Sequence, residues 1–118
     1  MTGGPVGPLR EPPVRAVETI GATVVVRLAG ELDLYNAEEV RTALANAASS
    51  SPARVVVDLA DVDFVDSTAL GVLVEARAKV GGQRLALAAP QLDTRRTLQV
   101  SGLDRHIVVH DTVEDALR

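Results

Sequence analysis

The sequence predicts a single α/β domain with a mostly parallel central sheet of about five strands, one antiparallel edge strand and about four helices. Short β-branched runs alternate with helical runs along the chain, and 118 residues fit one domain. Arg54–Leu59 (RVVVDL) is apolar on both faces, as is typical of a central strand in a parallel sheet. Because the chain has one Phe, one Tyr and no Trp, its core must be aliphatic.

The amino-terminal segment differs in composition from the rest of the chain. Residues 1–13 (MTGGPVGPLREPP) contain three of the nine glycines and four of the six prolines. Such a segment has too little apolar surface to form a core element. We therefore expect a disordered tail over 1–13 and one folded domain over 14–118.

The folded part begins with a predicted antiparallel hairpin. Val14–Ile20 has a short apolar alternation, Gly21 and Ala22 are suited to a turn, and Thr23–Leu28 is rich in β-branched residues. The following segment, 30–35 (GELDLY), is expected to link this hairpin to the first helix.

The first helix is predicted from a capping box and an apolar stripe. Asn36 is followed three residues later by Glu39, a pattern typical of a helix start. The helix should end within 49–52 (SSSP). Its apolar stripe consists of Val40, Ala43, Leu44 and Ala47.

The central strand Arg54–Leu59 is expected to lead through an exit loop into a second helix. The loop, Asp61–Asp66, contains the only phenylalanine, Phe64. The helix should begin near Ser67 and end at Gly81, because glycine favours the left-handed conformation that closes helices. Its predicted buried face consists of Leu70, Leu73, Val74 and Ala78.

The last third of the chain repeats the alternation of strand and helix. Arg84–Ala88 is a predicted strand, and Thr94–Ser101 is a short helix closed by Gly102. Ile107–His110 is the last predicted strand. Thr112 is placed to cap a final helical turn over 113–117 (VEDAL).

The segment Asp66-Ser67-Thr68 places a serine where a strand passes into a helix. Asp, Ser and Thr are all preferred helix caps, so a purely structural role is open. A phosphate added there would be stabilised by the positive end of the helix. The two interpretations are compatible, since Asp66 can cap the helix while the hydroxyl of Ser67 points outwards.

A catalytic role for Ser67 lacks support in the sequence. A serine nucleophile needs a nearby base, and the only histidines, His106 and His110, lie far along the chain. Val65 and Ala69 occupy the glycine positions of a Gly-x-Ser-x-Gly elbow. We predict no catalytic residues and no enzymatic activity.

Four carboxylates around the central strand suggest a cation site or a receiver-type phosphoacceptor. A receiver would have an acidic pair after its first strand and a lysine after its last, but the only lysine, Lys79, lies in the second predicted helix. We therefore interpret the carboxylates as solvated loop residues and predict no metal and no cofactor. They are Asp58, Asp61, Asp63 and Asp66.

The segment 30–34 (GELDL) allows two interpretations. It is either a turn whose leucines dock into the core, or part of a surface that contacts a partner. The sequence leaves both open.

Charge and composition limit the partners and the location. The net charge of −4 argues against nucleic acid as a partner, because binding to phosphates needs clustered positive charge. No apolar run approaches the roughly 18 residues of a membrane span, and the first residues lack the features of a signal peptide. With no cysteine present, these features favour the cytoplasm and argue against a membrane partner.

Several motifs in order resemble the bacterial anti-sigma factor antagonists of the STAS domain family. They are 30–33 (GELD), 55–59 (VVVDL), 65–71 (VDSTALG) and 102–103 (GL), and the similarity extends from Val14 to Leu117. Ala69 stands where many relatives have glycine. The resemblance implies a STAS-like domain.

The resemblance also implies a function. Ser67 falls at the position that a partner kinase phosphorylates, and Thr68 is the alternative acceptor. The partner would be an anti-sigma factor with serine-kinase activity, from which the unphosphorylated antagonist releases a sigma factor; a phosphatase would be a further partner. The implied partner-binding residues are Asp33, Asp66, Ser67, Thr68, Leu70 and Gly71. The alternative is a STAS adaptor module of a signalling assembly or of a lipid or anion transporter.

Overall fold

The computed structural model describes residues 11–118 and confirms the predicted fold class. The elements follow the expected order, with two short 3-10 turns at Gly82–Arg84 and Leu103–Arg105. The strands and helices are β1 Val14–Ile20, β2 Thr23–Leu32, α1 Ala37–Ser49, β3 Arg54–Val65, α2 Ser67–Val80, β4 Leu85–Ala88, α3 Leu92–Ser101, β5 Val108–His110 and α4 Val113–Leu117.

The five strands lie in the sheet in chain order, from β1 to β5. β1 pairs with β2 antiparallel, whereas β2, β3, β4 and β5 are parallel to one another. The carboxyl ends of the parallel strands therefore meet at one edge of the sheet, where α/β proteins commonly place their functional groups.

The core is divided unequally between the two faces of the sheet. Alternate residues of the strands pack with α1, α2 and α3 in the larger cluster, including Val26, Val57 and Leu98. The other face has a smaller cluster in which Val25 and Val56 contact α4. Since α4 has only five residues, this second face is covered by much less of the chain.

Two strands are longer than the sequence predicts. Residues 29–32 continue β2, and they pair with 61–65 of β3 through shifts of register between Arg27 and Ala29 and between Gly30 and Glu31. The exit loop predicted over 61–66 is therefore wrong except at Asp66, and only 33–36 links β2 to α1. Aspartate is depleted in strands, so the aspartates at 61 and 63 made β3 appear to end before them.

The buried face of α2 is also corrected. Leu73 is buried as predicted, but Val74 is 52% exposed and Ala78 is exposed. The observed buried positions are Ala69, Val72, Leu73, Ala76 and Val80. The predicted ends of other elements are shifted slightly, since α3 begins at Leu92 and β5 at Val108.

The predicted tail is only partly covered by the structure, because residues 1–10 lie outside the described range. Pro13, the last residue of that predicted tail, is buried. Its carbonyl accepts a hydrogen bond of 2.9 Å from the backbone N–H of Ala29.

Among the helices of residues 11–118, none has the length and apolar character that a membrane span needs.

Candidate functional site

Asp66 joins the end of β3 to two neighbouring segments. Its Oδ1 accepts a hydrogen bond of 3.0 Å from the N–H of Ala69, which confirms its predicted role as the cap of α2. Its Oδ2 accepts a 3.2 Å hydrogen bond from the N–H of Leu34, and its own N–H donates to the carbonyl of Leu32 over 3.0 Å. One carboxylate thus fixes both the start of α2 and the loop after β2.

Ser67 is the first residue of α2, and it is exposed. Within residues 11–118 its hydroxyl forms no hydrogen bond, whereas the carboxylate of Asp66 occupies the N–H of Ala69. Thr68 is half-buried and so is the less accessible of the two hydroxyls. The first turn of α2 contains no acidic residue, so the carboxylate of Asp66 at the N-cap is the negative group that acts on the positive end of this helix.

The loop after β2 is braced by its own polar side chains. The amide of Asn36 accepts from the N–H of Asp33 over 2.9 Å and donates to the carbonyl of Glu31 over 2.7 Å. The carboxylate of Asp33 accepts from the N–H of Tyr35 over 3.0 Å. The predicted capping box is therefore wrong, because the side chain of Asn36 bonds backward to the loop and makes no cap bond to α1.

The interpretation in which the leucines of segment 30–34 dock into the core is confirmed for Leu32 and wrong for Leu34, whereas the partner-surface interpretation stays a prediction. Leu32, the last residue of β2, is buried at 1% exposure and packs in the core. Leu34 is 67% exposed, because the turn redirects the chain after Asp33. The carboxyl ends of β2 and β3 thus bring Asp33 close to the segment 66–68.

Leu70 and Gly71 extend this region along α2 in different ways. Leu70 is half-buried and packs against the core. Gly71 is exposed, and a Cβ added there would meet no atom within 4 Å. Nothing in the described fold requires glycine at this position, although glycine in a helix interior costs roughly 0.5–1 kcal/mol relative to alanine.

The four carboxylates that suggested a cation site are separated by their contacts. Asp58 is buried and pairs with Arg27 at 2.6 Å, so its interpretation as a solvated loop residue is wrong. A hydrogen bond from Arg27 to Glu18, and then the one to Asp58, raises the pKa of the guanidinium. Asp61 pairs with Arg15 on β1 at 2.5 Å. Among residues 11–118, no group of three or more His, Cys, Asp or Glu side chains could hold a metal ion.

The structure separates His106 from Ser67. The carbonyl of His106 accepts a 2.7 Å hydrogen bond from Arg77, which lies in the last turn of α2. Ser67 stands at the opposite end of that helix. This histidine is therefore not placed to activate the serine.

Exposed apolar residues at the same edge were missed by the sequence reasoning. Tyr35 is 85% exposed, Phe64 is 52% exposed and Leu92, at the start of α3, is 72% exposed. A signal was present in the sequence, since the segment 61–66 (DVDFVD), with three aspartates in six residues around the only phenylalanine, does not fit a buried run.

The comparisons with known proteins agree with this architecture. The family model of the STAS domain matches residues 14–116. An anti-sigma-F factor antagonist of Mycobacterium tuberculosis, RsfB, is 31% identical over 94 residues, covering 79% of this chain and 77% of the relative.

Solved structures give the same result. An anti-sigma factor antagonist from Mycobacterium paratuberculosis superposes with a TM-score of 0.81 at 31% identity, covering 86% of this chain and 88% of that one. The Bacillus cell fate determinant SpoIIAA in its phosphorylated form gives 0.64 at 27% identity, covering 86% and 95%.

The fold and the site define an α/β module with an exposed serine at a helix start. The chain belongs to the STAS domain family, and its relatives place it among the anti-sigma factor antagonists.

Proposed function

We propose that the unphosphorylated protein binds an anti-sigma factor with serine-kinase activity, so that a sigma factor is released, and that phosphorylation of Ser67 ends this binding. The observation that carries the proposal is the exposed hydroxyl of Ser67 on a helix start that Asp66 fixes in place. The existence of a related structure in a phosphorylated form supports it. A phosphatase would restore the binding form, and the cytoplasm is the expected location.

The phosphate should act on the interface and leave the fold intact. A phosphoserine carries about −1.5 to −2 charges at neutral pH. At a helix start this charge is favourable by roughly 0.3–1 kcal/mol, so the domain should stay folded. Binding is then lost through repulsion by negative groups that face Ser67 in the partner and through the desolvation of a bulky anion.

Phosphorylation and binding can be tested on the same protein. Candidate anti-sigma factors from the same genome are incubated with the chain and ATP, and the peptide containing Ser67 is analysed by mass spectrometry. We expect one phosphate on wild type, none on Ser67→Ala, and one on the control Thr68→Val. Ser67→Ala should bind the same anti-sigma factor, whereas Ser67→Asp should bind it weakly.

Two results would contradict the proposal. Equal, unimpaired binding by Ser67→Ala and Ser67→Asp would show that charge at this position is not a switch. Absence of phosphate with every candidate would favour the adaptor function instead.

A further inference from the structure

Near the carboxyl ends of three neighbouring parallel strands, an aspartate stands beside an exposed apolar side chain. The pairs are Asp33-Leu34 after β2, Asp63-Phe64 at the end of β3 and Leu92-Asp93 after β4. The apolar members, 67%, 52% and 72% exposed respectively, are called the apolar rim: Leu34, Phe64 and Leu92.

Hydrogen bonds connect the segments that carry the apolar rim. The carboxylate of Asp66 binds the N–H of Leu34, as described above. On the other side, the side chain of Gln91 donates to the carbonyl of Ala60 over 3.0 Å and to Asp63 over 3.4 Å. Leu92 and Phe64 each adjoin a residue of this second contact, and both lie at the carboxyl end of the parallel strands, where Ser67 also stands.

Packing of the hydrophobic core does not explain why these apolar side chains are exposed. The chain has a single phenylalanine and builds its core from aliphatic residues, yet that phenylalanine faces solvent. Clustered exposed apolar side chains of this kind are typical of protein–protein contacts. Aromatic and large apolar residues supply much of the binding energy in such contacts.

The charge around the apolar rim indicates the chemistry of its partner. The segments 31–35, 61–66 and 91–93 contain six carboxylates and no lysine or arginine, and one of the six, Asp61, is paired with Arg15 of β1. A complementary surface would therefore be apolar at its centre and basic at its margin, because opposite potentials across an interface favour association.

We propose that the apolar rim binds an apolar surface, edged by Arg or Lys, on the anti-sigma factor that phosphorylates Ser67, and that Leu92 and Phe64 determine which anti-sigma factor is recognised. This inference rests on the proposed function and extends its interface from the phosphorylation loop to the loop after β4. Recognition and switching then use different residues, since a phosphate on Ser67 leaves Leu92 unchanged.

The test uses the anti-sigma factor that phosphorylates wild type, with Leu92→Ser and Phe64→Ser as variants. Val100→Ser is the matched control, because Val100 is 83% exposed on the same helix, eight residues or about 12 Å away. We expect each rim variant to raise the KM for the protein substrate about tenfold, the effect of a contact worth roughly 1.4 kcal/mol. The control should leave the KM unchanged, and all three variants should keep the melting temperature of wild type.

A charge variant tests the basic margin of the partner. The double variant Asp63→Asn, Asp93→Asn should bind more weakly and lose less affinity than wild type when salt is raised. Rim variants with the wild-type KM would overturn the inference while the proposed function stands. An unchanged salt dependence would overturn the basic partner surface. If wild type itself receives no phosphate, the proposed function fails and the inference fails with it.

Discussion

At the scale of single residues, Asp66 contributes more to the structure of the site than its neighbour Ser67. Ser67 presents a hydroxyl, but Asp66 determines where that hydroxyl stands by binding two backbone N–H groups from separate segments. A capping residue was predictable from the order Asp-Ser-Thr. The second bond was not, because the N–H of Leu34 is 32 residues away in the chain and reaches Asp66 only when β2 and β3 are paired.

Replacing Asp66 should therefore cost more than the loss of a helix cap alone. We expect Asp66→Ala to lower the free energy of unfolding by about 1–2 kcal/mol, at the upper end of the range for a cap, and to slow phosphorylation of Ser67. Urea unfolding and a phosphorylation time course would measure the two effects. Asp63→Ala is the matched control, because that carboxylate accepts only a long 3.4 Å bond, and it should change stability by less than roughly 0.5 kcal/mol. Equal stabilities of the two variants would contradict this role.

At the scale of the elements, the sequence predicted order and type better than extent and orientation. The apolar run of β3 was recognisable because it is buried on both faces. The bounds of α2 are predicted correctly, but its buried face is not. Apolar residues occur all around this helix, so its sequence is compatible with more than one buried face. The cap at Asp66 and the pairing of β3 set the actual rotation, and that rotation leaves Val74 exposed.

The contact between α1 and α2 offers a pH-dependent test at the same scale. Arg41 on α1 binds Glu75 on α2 at 2.8 Å and also pairs with Glu38. The hydrogen bond from Arg41 lowers the pKa of Glu75 below its ordinary value of 4.5. A lowered folded pKa means that this pair stabilises the fold above the unfolded pKa of Glu75. That stabilisation is lost as the pH falls through the folded value.

We expect Arg41→Gln to raise the pKa of Glu75 measured by NMR titration. Its effect on stability should be small, because both groups are exposed and such pairs are screened by water. The difference in stability from wild type should shrink further in acid. Arg96→Gln is the control, since Arg96 forms no ion pair within residues 11–118. A pKa of Glu75 that is the same in both variants would show that Arg41 does not hold this carboxylate.

At the scale of the whole molecule, the sheet is unevenly supported. One face is covered by α1, α2 and α3, whereas the other is covered by α4 and by an ion-pair ladder in which Arg27 on β2 links Glu18 on β1 to Asp58 on β3. The edge strand β1 contributes little buried surface of its own. Its attachment therefore depends on pairing with β2 and on the residues that precede it.

The contact of Pro13 with β2 indicates where the folded domain begins. We expect removal of residues 1–10 to leave the melting temperature unchanged within about 1 °C, whereas removal of 1–13 should lower it by roughly 4 °C. The longer truncation deletes the buried Pro13 and its bond to Ala29, a loss of about 1 kcal/mol, which in a domain of this size gives a shift of that order. Calorimetry on the two truncated proteins and the full chain measures the difference. Equal melting temperatures for all three would place the start of the domain after Pro13, and an early loss with the shorter truncation would place it before Glu11.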